Sequence, residues 1–215
     1  MISRPIVVWD WNGTIVDDAF IFVDIMNDYL SLYGLPEITP EDYKNNFCFP
    51  VNNYYKRLGF KLSEKEFKKL SVNFIQKYKK VMFFPSLKKD ILSVLKYLKK
   101  LHYKQFVVSA QEQGLLRQSV DYYGLTGYFG GSFGLNNNLA VSKKSVAKKH
   151  IFPYLKKNQG ALFIGDTIHD YEVAKSLGAD CCLVSWGHNS KNKLKKTKQP
   201  VVDSVDDLLF FLKNL

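Results

Sequence analysis

Apolar and polar residues divide the chain into short buried runs and longer amphipathic stretches. Ile6-Val7-Val8-Trp9, Phe106-Val107-Val108, Leu162-Phe163-Ile164 and Cys181 to Val184 are continuous apolar runs. Runs of this length suit strands covered on both faces, as in a parallel sheet. Each ends at a polar or glycine-containing corner, respectively Asp10, Ser109, Gly165-Asp166 and Ser185-Trp186-Gly187. Segments of helical period lie between them. Leu87 to Leu101 carries Leu87, Ile91, Leu92, Leu95 and Leu98 on one stripe. Ser145 to Leu155 is helix-like, and Tyr171 to Leu177 runs into Gly178, a suitable helix C-cap. Ser204 with Asp207 three residues on is close to a capping box at the start of Val205 to Leu212.

Strands alternating with helices predict an α/β fold with a doubly wound parallel sheet. Ligands of such sheets bind beyond the carboxyl ends of the strands. Asp10, Ser109 and Asp166 therefore gather at one rim from distant parts of the sequence. Residues 18–84 break the alternation. Ala19 to Tyr33 reads as a helix stopped by Gly34-Leu35-Pro36, and Thr39-Pro40 reads as an N-cap followed by proline at the first helical position. Asn53 to Leu58 and Ser63 to Lys80 continue the helical pattern. The expected organisation is an α/β core made of residues 1–17 and 85–215, interrupted by a helical domain at 18–84.

Composition narrows the class. The 215 residues, 46% hydrophobic and 24% charged, have the balance of a soluble globular protein, and a 15% aromatic share supports a core that needs no staples. Three cysteines without CxxC spacing argue against a disulfide framework or a zinc site, and adjacent Cys181 and Cys182 read as small buried hydrophobes. The stretch MISRPIVVWDWNGT turns polar too early for a signal peptide, and no apolar run approaches the roughly 20 residues of a spanning helix. The expectation is a cytoplasmic protein with no membrane contact. A net charge of +11 attracts anions. The lysines are spread over many helices. Their densest group, Lys191, Lys193, Lys195, Lys196 and Lys198, reads as a solvated loop. A small phosphorylated molecule is therefore the favoured anionic partner, ahead of nucleic acid. Oligomeric state leaves no mark in the sequence.

Four features carry candidate chemistry. Asp10-Trp11-Asn12-Gly13-Thr14 follows a buried strand, so the Asp10 carboxylate can be aimed into a cleft, while Gly13 permits unusual backbone angles and Thr14 offers donors to phosphate. Asp166 and Asp170 stand four apart after another buried strand and can face one ion. Magnesium takes oxygen ligands, often one or two carboxylates. A helix N-cap at Asp166 or Thr167 explains the same residues equally well. Ser109 ends a strand, and Lys143 precedes a helix. Each of these four features is, taken alone, a common structural device.

Their order is more specific. Asp-x-x-Gly-Thr, then apolar-Ser, then Lys, then Gly-Asp-x-x-x-Asp resembles the haloacid dehalogenase superfamily over nearly the whole chain. The insertion after the first motif resembles the helical cap of its phosphoglycolate phosphatase-like branch. Trp9 to Thr14, Pro50-Val51, Leu58-Gly59-Phe60 and Ser142-Lys143 are similar to a bacterial subgroup with a Trp-Asp-Trp-Asn-Gly-Thr first motif. The resemblance implies a Mg²⁺-dependent phosphatase with Asp10 as nucleophile, forming an aspartyl-phosphate. It implies Mg²⁺ held by Asp10, the Asn12 main-chain carbonyl and Asp166, with Asp170 positioning the ion. Ser109 and Thr14 would bind the phosphoryl group, and Lys143 would offset its charge. Phosphoglycolate or a sugar phosphate would be the substrate.

Asn12 departs from the family pattern, which has a second aspartate two positions after the nucleophile as general acid/base. Such catalysis is worth about 10²–10⁴-fold, and an amide has no proton to give at neutral pH. A good leaving group, a substitute such as Asp17, Asp18 or His169, or a catalytically weak phosphate-binding protein would each accommodate Asn12. The same replacement argues against a phosphomutase, and the Gly165–Asp170 motif argues against halide displacement.

Overall fold

The computed structural model describes residues 5–135, 143–155 and 160–215. Strand β1 (Ile6–Trp9) leads into four helices: α1 (Ala19–Leu32), α2 (Pro40–Asn46), α3 (Val51–Arg57) and α4 (Glu64–Val81). After α5 (Ile91–Lys100) come β2 (Gln105–Glu112), α6 (Gln113–Tyr122) and β3 (Ser132–Leu135). The chain continues through α7 (Lys143–His150), α8 (Phe152–Leu155), β4 (Ala161–Gly165), α9 (Ile168–Ser176) and β5 (Asp180–Val184). It closes with α10 (Lys191–Lys195), β6 (Val201–Val202) and α11 (Val205–Lys213).

The strands form one parallel sheet in the order β3-β2-β1-β4-β5-β6. This is the doubly wound α/β arrangement that the alternating pattern predicts. The winding reverses between β1 and β4, and the crevice at such a switch point is where ligands of open α/β sheets bind. Register there is close: Val8 lies opposite Phe106 on one side and Phe163 on the other.

Successive strand residues point to opposite faces, and both faces are covered. Val7, Trp9 and Trp11 join α5, α6 and α11 in one apolar cluster. Ile6 and Val8 join α7, α9 and α10 in another. The two indoles beside Asp10 are fully buried, and each donates a hydrogen bond, Trp9 to Gln105 (3.0 Å) and Trp11 to Ser119 (3.0 Å). A buried aromatic ring removes about 150–250 Å² from water, on the order of 4–6 kcal/mol of gross stabilisation. The segment that carries Asp10 is thus anchored on both sides.

The helices α1 to α4 have an apolar cluster of their own, built from residues of that segment plus Leu115. The chain leaving the sheet and the chain returning to it run side by side. Asp17 N bonds Ser86 O (3.0 Å) and Lys88 N bonds Ile15 O (2.8 Å), with Val16 bridged to Leu87.

The local signals behave as their chemistry dictates at most helix ends. Thr39 with Asp42, Ser63 with Glu66 and Ser204 with Asp207 form capping boxes, and Gly34 and Gly178 adopt the left-handed conformation after α1 and α9. Four expectations need correction. Strands β3 and β6 carry no long apolar run: they are short, β3 includes a glycine, and β6 is only half-buried. Helix α5 begins at Ile91, because Leu87 is held in the bridge to Val16 and Asp90 turns left-handed. The helix expected over Ser145 to Leu155 begins at Lys143 and is divided at Ile151. The lysine-rich stretch expected as a loop contains helix α10, whose Lys193 donates to the Phe47 carbonyl. Ser142 of the lysine motif lies outside the described residues.

Candidate active site

Asp10 stands one residue beyond β1, and its backbone N–H bonds Ile164 O in β4 (2.8 Å). This places it beside the end of the strand that delivers Asp166. Asp170 follows on the first turn of α9. The carboxylates of Asp10, Asp166 and Asp170 lie within 4.8 Å of one another. Lys143, at the start of α7, reaches Asp10 Oδ1 at 2.7 Å and also pairs with Asp170 Oδ1. The geometry therefore unites Asp10, Lys143, Asp166 and Asp170, from three separate parts of the sequence.

Every member is held from behind. Asp166 accepts from Thr14 Oγ1 (2.7 Å) and from His188 N (2.6 Å). Asp170 Oδ2 accepts from Thr167 N (2.9 Å) and Oγ1 (2.7 Å), completing the capping box of α9. Asp170 thus serves as cap and site residue together. Two glycines make the approach possible. A Cβ on Gly13 (φ +71°) would stand 2.5 Å from Asp166 Oδ2, and one on Gly187 would stand 2.2 Å from it.

Charge in this cluster is unbalanced. Burial, with Asp170 and Asp166 nearby, pushes Asp10 up to about 8 despite Lys143. Burial and Asp170 push Asp166 up to about 6, against the relief from His188 and Thr14. Burial also acts to raise Asp170, but Lys143 and Thr167 outweigh it and hold its carboxyl low. Burial acts to lower Lys143, and Asp10 and Asp170 more than reverse it. Three carboxylates thus converge where one ammonium pairs with two of them, Asp10 and Asp170. This oxygen-donor set fits a small hard cation such as Mg²⁺, and a cation would relieve the repulsion that drives Asp10 and Asp166 upward.

The positions expected to bind phosphate divide. Ser109 is buried at the strand end and its hydroxyl accepts from Gln111 N (3.1 Å). The register between β2 and β3 shifts between Val108 and Glu112, an irregularity that re-aims side chains. Thr14 is turned onto Asp166, which makes its hydroxyl a support for that carboxylate. The N–H groups of Trp11 and Gly13 are likewise engaged, by Asp10 Oδ1 (2.8 Å) and Asp18 Oδ1 (2.8 Å).

Around Asn12 the side chains form a closed ring. Its amide donates to Asp18 Oδ2 (2.5 Å) and to the Tyr78 hydroxyl (2.6 Å), and Tyr78 in turn donates to Asp18 Oδ2 (2.8 Å). An amide supplies the two donors that this pair of acceptors requires; a carboxylate has none. Asp18 flanks α1 without capping it by a side-chain bond. Of the groups weighed as substitutes, Asp17 pairs with Lys88 (3.3 Å) and His169 faces Glu172 (3.4 Å) and Phe49. Asp18 alone of the three touches Asn12.

His188 is a further buried member. Its Nδ1 meets the Tyr43 hydroxyl at 2.8 Å and its Nε2 lies 3.6 Å from Asp18. Burial acts to lower its basicity, but Asp18, Asp166 and Asp10 together raise it above the ordinary histidine range. Its position in Trp186-Gly187-His188, after an apolar strand, was the available sequence signal. Gln111 was overlooked, although its spacing of two from Ser109 in an extended strand puts both on one side.

A cavity of about 170 Å³ opens from Asp10 and Ser109 toward the helices, lined by Phe47, Phe49, Tyr54 and Tyr55 among others. These four aromatic residues both pack the helical cluster and face the cavity.

The haloacid dehalogenase-like hydrolase family matches residues 7–184. A phosphoglycolate phosphatase of Aquifex aeolicus is 24% identical over 198 residues, covering 87% of each chain. A haloacid dehalogenase-like family hydrolase of Streptococcus pneumoniae superposes with a TM-score of 0.80 at 19% identity, covering 98% of this chain and 100% of the other. A predicted phosphoglycolate phosphatase of Haemophilus somnus gives 0.73 at 19%, covering 97% and 98%. The chain belongs to the haloacid dehalogenase-like hydrolases, as the order of its motifs implies.

Proposed function

We propose that the protein is a Mg²⁺-dependent phosphatase, a phosphoric monoester hydrolase, that acts on a small phosphorylated metabolite through an aspartyl-phosphate on Asp10. The observation that carries this reading is the convergence of the Asp10, Asp166 and Asp170 carboxylates at the switch point of the sheet, with Lys143 paired to Asp10 and Asp170. Asp10, Asp166 and the Asn12 carbonyl would hold Mg²⁺, with Asp170 positioning it. The ion would screen the repulsion between a carboxylate nucleophile and a phosphate and polarise the phosphoryl group. Lys143 holds Asp10 by one oxygen, orients it for attack and contributes positive charge where the phosphoryl oxygens would lie. Ser109 offers a hydroxyl to the same group, and Thr14 orients Asp166. Residues 1–17 and 85–215 form the catalytic core in this reading, and residues 18–84 form a cap over its rim. Names of relatives make phosphoglycolate one compound to assay, and the family makes sugar phosphates another.

The test is release of inorganic phosphate from a generic phosphate ester with and without Mg²⁺. Turnover should disappear with chelator and in Asp10→Asn. Equal rates for wild type and variant would overturn the assignment. One observation favours a second reading, a weakly catalytic phosphate-binding protein: the position of the family's acid/base aspartate is an amide held by Asp18 and Tyr78. In that case phosphate esters bind with Mg²⁺ and turn over no faster than in Asp10→Asn.

A further inference from the structure

The cavity beyond Asp10 has a wall chemistry that selects among phosphate esters. Its helical side is almost wholly aromatic and aliphatic, with Phe22, Phe47, Phe49, Phe67, Phe74 and Ile75 among its residues. Several rings meet edge to face, Tyr54 against Tyr43 at 5.7 Å and against Phe47 at 5.3 Å. Among the described residues, no lysine or arginine lines it. Lys143, the ammonium nearest the nucleophile, is already paired with Asp10 and Asp170. The other acid on the wall is Glu112, whose carboxylate accepts from Gly114 N and Leu115 N.

Several polar side chains of the wall are already bonded, Asn12 and Tyr78 to Asp18, Tyr43 to His188 and Thr167 to Asp170, and three residues stand out. The hydroxyl of Tyr54, the hydroxyl of Ser71 and both polar atoms of the Gln111 amide are buried without a hydrogen-bond partner among the described residues. All three residues line this cavity. Tyr54 itself is 1% exposed. Buried polar atoms are nearly always paired in folded proteins, and burial keeps the Tyr54 proton in place by raising its pKa. The wall therefore contains two hydroxyls and one amide whose hydrogen-bonding capacity is unmet among the described residues. That space, about 170 Å³, is close to an apolar cavity of roughly 150 Å³ that accommodates benzene.

We propose that the alcohol released by this enzyme is a single neutral aromatic or heteroaromatic ring bearing a hydroxymethyl group, with one or two hydrogen-bonding atoms that meet Tyr54, Ser71 and Gln111. The proposal rests on the phosphatase reading and narrows its substrate. A carboxylate-bearing alcohol is disfavoured because the wall would bury a second anion near Glu112 with no lysine or arginine beside it, while His188 is already engaged by Tyr43 and Asp18. A polyhydroxylated sugar is disfavoured because the wall has too few partners for its hydroxyls. A flat ring fits both the volume and the edge-and-face preferences of the surrounding rings.

The experiment compares four esters on the full chain with Mg²⁺: benzyl phosphate, pyridin-3-ylmethyl phosphate, phosphoglycolate and glucose 6-phosphate. All four release alkoxide-type leaving groups, so kcat/KM reports the cavity more than intrinsic reactivity. The ring esters should exceed the other two by at least about 10²-fold. Tyr54→Phe keeps the ring and removes the hydroxyl. It should reduce the advantage of the heteroaromatic ester over benzyl phosphate by about 3- to 10-fold, through KM. Phosphoglycolate or glucose 6-phosphate used as well as the ring esters, or better, would overturn the proposal. If no ester is hydrolysed in an Asp10-dependent manner, the phosphatase reading fails by itself. Calorimetric affinities of the same esters then decide the cavity's preference, and tighter binding of phosphoglycolate than of benzyl phosphate would overturn it.

Discussion

At the scale of single residues, Asn12 is explained by what surrounds it. Its amide faces one carboxylate and one phenol oxygen, and both need a donor. Asn12→Asp, the change that restores the family's usual residue, would set a second carboxylate against Asp18 in a part-buried site. The variant should lose about 1–3 kcal/mol of stability, and adding Asp18→Asn should recover most of it because the amide then supplies the missing donor. Thermal melts of the single and double variants check this; a single variant as stable as wild type would contradict it. Kinetics separate the roles further. If Asn12 limits proton transfer, the restored aspartate should accelerate esters of poor leaving groups more than those of good ones. Equal effects on both would show that the proton step is not limiting. The cluster of Asp10, Asp166, Asp170 and Lys143 was legible in the sequence, because each residue adjoins an element of recognisable pattern. The partners of Asn12 were not. Asp18 had been weighed as an acid/base group, and Tyr78 lies 66 residues from Asn12, on a helix whose pattern gives no sign of where it docks.

Helices and strands sort by how strongly local chemistry marks them. The four central strands were readable because both faces are buried. Strands β3 and β6 were not, since neither has enough apolar length to stand out. Helix starts were clearer, and α4 is an example: Ser63 and Glu66 satisfy each other's backbone N–H groups. The Ser63 hydroxyl and backbone N–H hold the Glu66 carboxyl below its ordinary range. A carboxylate with a depressed folded-state pKa contributes stability that is fully present above the unfolded value, about 4.3, and is lost as pH falls through the folded value. Ser63→Ala should therefore lower the melting temperature by about 2–4 °C at pH 7, and by clearly less at pH 3. A loss of equal size at both pH values would mean that the bond from the Ser63 hydroxyl to the Glu66 carboxylate contributes nothing.

For the molecule as a whole, the helical segment and the sheet are joined through the site itself. Tyr43 and Lys44 of α2 bond His188 and Trp186 of the loop after β5, while Tyr78 of α4 bonds the first motif. An ion bound by Asp10 and Asp166 would therefore stabilise the whole fold. At Mg²⁺ concentrations near a hundred times the dissociation constant, linkage adds about 2.7 kcal/mol, a rise of about 5–10 °C in melting temperature. Asp166→Asn should remove most of that rise. A wild-type melting temperature indifferent to Mg²⁺ would count against the assigned ligands. The doubly wound sheet and the helical interruption could both be anticipated from the hydrophobic pattern. Phe47, Phe49, Tyr54 and Tyr55 could be singled out as residues that line or pack the helical segment, but the cavity they share with Phe22, Phe67 and Phe74 could not, because its rings come from four helices that only tertiary packing brings together.

The ring of Asn12, Asp18 and Tyr78 has a consequence for building chimeras. A lid is often treated as a module that can be exchanged between enzymes sharing a core. In this protein, transplanting another lid onto the sheet would leave the Asn12 amide and the Asp18 carboxylate without their tyrosine, a few side chains from the nucleophile. A successful graft would need a hydroxyl at the position equivalent to Tyr78, or would have to convert residues 12 and 18 in the same step. Residues 18–84 and the first motif are therefore coupled, and exchanges that carry Asn12, Asp18 and Tyr78 together should express and fold where simple boundary swaps fail.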